Sequence, residues 1–116
     1  MIVAVQGTNS FDDYNVFLRA MGVAMSGMQE DDKELYIYSV GPVKVNGFVA
    51  EFCNVSEVGM RRRGKKIKYF KVPHQWVEEN MESFNYFAFL SKPKEPISKL
   101  VASAELKDIE VGIFRY

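Results

Sequence analysis

The chain has 116 residues, 47% of them hydrophobic and 14% aromatic, and its 15 basic residues balance 15 acidic ones. That length supports one core over residues 1–116 and leaves no room for a second domain. Balanced charge supplies no basic field for a dedicated nucleic-acid binder, so nucleic acid is not an expected partner.

Cys53 is the single cysteine and His74 the single histidine, which excludes an internal disulfide, a cysteine-built zinc centre and a multi-histidine metal site. No metal or cofactor is expected. No stretch reaches the roughly 20 apolar residues of a membrane span. The apolar N-terminal run is too short, and lacks the basic leader, for a signal peptide. The expected location is the cytoplasm, or the host cytoplasm if the gene is viral.

The run Ile2-Val3-Ala4-Val5 suits a strand covered on both faces, as parallel strands of α/β proteins are. It feeds the turn Gln6 to Ser10 and a helix beginning near Phe11. Tyr14, Phe17, Leu18, Met21, Met25 and Met28 share one helical face, and Ser10 with Asp13 forms a variant capping box. Gly7 is free to take a positive φ and to admit a ligand to the backbone, and the first helical amides are unpaired donors. Together they form the kind of helix N-terminus that holds phosphate.

After the polar break Gln29 to Glu34, Leu35 to Val40 is a second strand ending at Gly41-Pro42. A helix from Val45 or Asn46 follows, with Val45, Val49, Phe52, Ser56 and Met60 on one face and Cys53 buried in it. The cationic run from Arg61 to Lys66, interrupted by Gly64, is read as the helix's C-terminal turn rather than as a nucleic-acid patch, since no aromatic residue is interleaved in it. Ile67 to Val72 alternates with lysines, as an exposed edge strand does. His74-Gln75-Trp76 leads into a short helix between Val77 and Asn85. Tyr86 to Leu90 is a fully apolar strand, Pro96 is placed in the first turn of a last helix carrying Ile97, Leu100, Val101 and Ala104, and Ile109 to Phe114 is a second edge strand.

The predicted fold class is therefore α/β: a three-layer, Rossmann-like, open parallel sheet of five strands in the order 3-2-1-4-5. This arrangement buries the apolar strands and keeps right-handed crossovers. The chain reverses between strands one and four, where ligands bind in such sheets. The loops there are Gly7 to Ser10, Gly41 to Asn46 and Ser91 to Glu95. Lys44, Lys92 and Lys94 are expected at that end of the sheet, where their charge would favour an anion. His74 follows strand three at the same end, but a lone histidine in this turn is read as structural, and no catalytic residue is assigned.

Several landmarks resemble the SLOG superfamily, in particular its short YspA-like branch, related to the LOG phosphoribohydrolases and DprA. Gly7-Thr8-Asn9-Ser10-Phe11-Asp12-Asp13 is similar to the branch's Gly-Ser-Arg-x-Phe-x-Asp opening. Gly41-Pro42-Val43-Lys44 with Ala50-Glu51-Phe52 resembles its second loop and helix. Val72-Pro73-His74-Gln75-Trp76 resembles a Pro-Ala-Asp-Trp segment, and Asn80-Met81 followed by Ala88-Phe89 resembles its Arg-Asn-x-x-Met helix and next strand.

The resemblance implies a nucleotide-derived or other phosphorylated ligand, with phosphate near the first loop and the loop after strand four. The candidate binding residues are Gly7, Thr8, Asn9, Ser10, Gly41, Lys44, Asn46, Ser91 and Lys92. The family enzymes' Gly-rich catalytic loop is replaced here by Ser91-Lys92-Pro93-Lys94-Glu95-Pro96-Ile97, so the hydrolase activity is not carried over. A binding module, non-catalytic or weakly catalytic, is the expected function. The alternatives are a homo-oligomeric interaction module, expected as a dimer through the first or second helix, and a phosphoribohydrolase-type N-glycosidase.

Overall fold

A computed structural model describes residues 1–115. Its strands β1 (Ile2–Gly7), β2 (Glu34–Gly41), β3 (Lys66–Lys71), β4 (Tyr86–Ser91) and β5 (Glu110–Arg115) form one parallel sheet in the order β3-β2-β1-β4-β5. The expected three-layer, doubly wound topology is the one found. Helices α1 (Tyr14–Met25) and α2 (Val43–Arg62) cover one face; α3 (His74–Glu79), a 3-10 turn at Met81–Ser83 and α4 (Lys99–Leu106) cover the other.

Alternation along β1 and β4 divides the core. Val3, Val5, Tyr86, Ala88 and Leu90 pack against Phe17, Ala20, Val45 and Val49, whereas Ala4, Phe87 and Phe89 pack against Val77, Leu100 and Val101. All six residues of β4 are buried, as its apolar run requires. β2 differs from the expectation of burial throughout. Its Leu35, Ile37 and Ser39 are buried, but Tyr36, Tyr38 and Val40 are only half-buried on the opposite face. The reason is the short α3, six residues long, which covers that half of the sheet thinly. Aromatic stacking fills in: Tyr38 lies 4.8 Å from Phe70 and 5.0 Å from Trp76, both in stacked orientation. Outer strand β3 buries Ile67 alone and turns Lys66, Lys68 and Lys71 to solvent, so its edge is protected by charge.

Several boundaries move for local reasons. α1 starts three residues later than Phe11, because Asp13 and not Ser10 is the N-cap, its carboxylate accepting from the Val16 amide at 3.0 Å. Leu18, expected on the packed face, is exposed, and Val16, Ala20 and Ala24 take the core positions. α2 begins at Val43, directly after the cis Gly41–Pro42 peptide. Gly64 beyond it adopts φ +73, as a C-terminal glycine does. Pro96 lies outside α4. Ser98 is the cap there, its hydroxyl oxygen accepting from the Leu100 amide at 3.1 Å. Among the described residues, no helix is long and apolar enough to cross a membrane.

Candidate functional site

The carboxyl ends of β1 and β4 meet where the chain reverses direction, and the loops that leave them are tied together. Thr8 donates its amide to the Leu90 carbonyl at 2.9 Å, and Phe11 donates back to the Thr8 carbonyl at 3.1 Å while its ring is fully buried. The first loop is thus a rigid turn held from both ends.

Glu95, from the loop after β4, fastens the two loops to each other. Its carboxylate accepts from the Thr8 hydroxyl at 2.7 Å, from the Ser10 hydroxyl at 2.5 Å and from the Lys92 amide at 2.6 Å. The Ser10 bond first, then those from Thr8 and the Lys92 amide, favour the ionised form and hold the carboxyl below the usual glutamate range. The hydroxyls expected to meet a phosphate therefore meet a carboxylate of the same chain. The Lys92 ammonium stands beside this group and lies 3.9 Å from the Asp12 carboxylate.

Gly7 has a different purpose from the one its position suggests. It closes β1 without a positive φ, and a β-carbon built on it would lie 2.6 Å from Val45 Cγ2. The absent side chain makes room for α2, not for a ligand. Gly41 is the glycine with the unusual backbone here, at φ +104, and Asn46 sits over it. Asn46 is fixed by the Ser39 hydroxyl, which donates to its side-chain oxygen at 2.5 Å. Gly41, Lys44 and Asn46 thus form the β2–α2 corner, with Lys44 exposed on the first turn of α2.

On the α3/α4 side of the loops lies a cleft of about 460 Å³ whose walls include Gln6, Thr8, Asn9, His74, Glu95 and Lys99. Gln6 is paired with Phe89 in the sheet, and both line the cleft. The side-chain oxygen of Gln6 is buried without a hydrogen-bond partner, as is the hydroxyl of fully buried Ser91, two residues beyond Phe89 on the same face by alternation. Buried polar atoms are nearly always paired, so these two are exceptions, and the one on Gln6 belongs to a residue of the cleft wall although the oxygen itself is closed to solvent.

The structure brings Gly7, Thr8 and Asn9 to the cleft, links Ser10 to it through Glu95, and sets Ser91 and Lys92 behind it. The β2–α2 corner residues do not line it. His74, Ser98, Lys99 and Gln6 were absent from the sequence-based site. His74 stood out as the sole histidine following strand three, whereas the others are assembled only by the β1–β4 pairing.

This is a doubly wound α/β protein with a polar cleft at its switch point. No family model, no curated protein and no solved structure matches the chain.

Proposed function

We propose that this chain is a SLOG-like module that binds a phosphorylated small molecule, nucleotide-derived in the first instance, at the cleft between β1 and β4. The carrying observation is the cleft's position at the topological switch point, where open parallel sheets take their ligands, combined with the polar side chains of Gln6, Thr8, Asn9 and Lys99 in its walls. Lys99 suits a phosphate, as do the first-loop hydroxyls once they are free of Glu95. His74, exposed at the rim, is a further polar group beside the cleft.

The test is a thermal-shift titration with AMP, cyclic nucleotides and ADP-ribose, repeated with His74→Ala and Lys99→Ala, both exposed positions. A ligand at 100 times its dissociation constant adds about 2.7 kcal/mol of stability. A shift in the native sequence that both variants weaken supports the reading. Folded protein that responds to none of these compounds removes it.

One observation favours the alternative of a homo-oligomer: the outward side of α2 leaves Val43 84%, Val55 70% and Val58 43% exposed. A strictly monomeric mass in solution at high concentration would count against that assembly.

A further inference from the structure

We propose that Glu95 is a built-in occupant of an anion site, and that a phosphate-bearing ligand enters by displacing its carboxylate from Thr8, Ser10 and the Lys92 amide. The inference rests on the reading that this rim takes a phosphorylated ligand, and it names the step by which the site becomes available.

The donors and the occupant differ in how firmly they are held. Thr8 is anchored to β4 through the Leu90 carbonyl and to the buried Phe11 through its own carbonyl, and the Lys92 amide directly follows the last buried residue of β4. Glu95 instead belongs to an irregular loop in which Pro93, Lys94 and Pro96 are exposed, and it is itself only half-buried. Thr8 and the Lys92 amide form a cup fixed by the sheet, with exposed Ser10 at its rim, and the carboxylate is delivered from the solvent side. Its two oxygens take three hydrogen bonds. A phosphate offers three oxygens and up to two charges to the same donors, and charge-assisted bonds strengthen with the acceptor's charge.

The charges around the cup bear on this exchange. Asp12 and Asp13 follow the first loop; Asp12 is paired with Lys92 and Asp13 accepts from the Val16 amide. Lys92 and Lys94 precede Glu95 in its own loop, and Lys99 lines the same cleft. With Lys92 shared with Asp12, the cations left to favour an incoming anion are Lys94 and Lys99.

The experiment uses the full chain and two probes, inorganic phosphate and AMP, titrated by calorimetry into the native sequence, Glu95→Ala, and Glu95→Ala combined with Thr8→Val and Ser10→Ala. Emptying the cup with Glu95→Ala is expected to tighten phosphate binding at least tenfold, and loss of the two hydroxyls to abolish the gain. A folded Glu95→Ala protein whose phosphate affinity is equal to or weaker than the native value overturns the inference and leaves Glu95 as a permanent clip. If Glu95→Ala does not fold, Glu95→Gln decides: it keeps the shape, removes the charge and must still raise phosphate affinity. AMP bound by the native protein but not tightened by Glu95→Ala would sink this inference alone. Phosphate tightened by Glu95→Ala with no AMP binding in any variant would instead sink the nucleotide reading alone.

Discussion

Val45 occupies the space that a side chain at position 7 would need: a β-carbon on Gly7 would stand 2.6 Å from Val45 Cγ2. Gly7→Ala is therefore expected to lose about 1–3 kcal/mol of stability by overpacking. Combined with Val45→Ala the loss should fall short of the sum of the two single variants by about 0.5 kcal/mol or more, because both act on one space. Urea denaturation of the four proteins measures this, and strict additivity would contradict it.

The Glu95 contact makes stability sensitive to acid with a defined sign. Its carboxyl is held below the ordinary value by Ser10, Thr8 and the Lys92 amide, so the contribution is complete above the unfolded value of about 4.3 and is lost as the pH falls through the lower folded value. Glu82, held low by Lys107, acts in the same direction in every variant. The difference between the native protein and Glu95→Gln should therefore shrink on acidification from pH 6 to pH 3. A difference independent of pH would show that the ionised carboxylate is not what holds the loops.

Cys53 faces the core from α2, and burial pushes its thiol up to about 11. At pH 8 the native protein should resist a disulfide-exchange reagent that reacts with the unfolded chain within its ordinary time. Rapid labelling without denaturant would mean that α2 opens locally.

At the sheet's other edge, a β-carbon on Gly112 would overlap the Tyr86 hydroxyl and stand 2.6 Å from Phe114 Cε2. Gly112→Ala should cost about 1–3 kcal/mol, and adding Tyr86→Phe should recover part of it by removing the nearest atom. Chemical denaturation monitored through Trp76, the chain's one tryptophan, reads both.

The sheet was legible because its order follows from which strands are apolar. Ile2 to Val5 and Tyr86 to Leu90 have no polar face and must be central, while the lysines of β3 advertise an edge. What local sequence does not encode is where a side chain's partner comes from. Ser10 has the right spacing to cap α1, yet its hydroxyl bonds a residue 85 positions away, and the cap passes to Asp13. Pro96 has the right chemistry for a first helical turn, but Ser98 supplies a side-chain bond that proline lacks. Gly7 shows the same limit: a glycine after a strand signals a close approach without saying whether ligand or protein makes it. Gln6 and Lys99 reach one cleft only because β1 and α4 are brought to the same end of the sheet, a juxtaposition that no spacing records.

Lys94 holds φ at +71, a left-handed backbone that costs a residue with a side chain about 1–2 kcal/mol. It is the residue immediately before Glu95, so the loop is bent against its own preference at the point from which the carboxylate is presented. Lys94→Gly, which bears the same φ without strain, should therefore stabilise this loop as it stands and hold Glu95 more firmly in place.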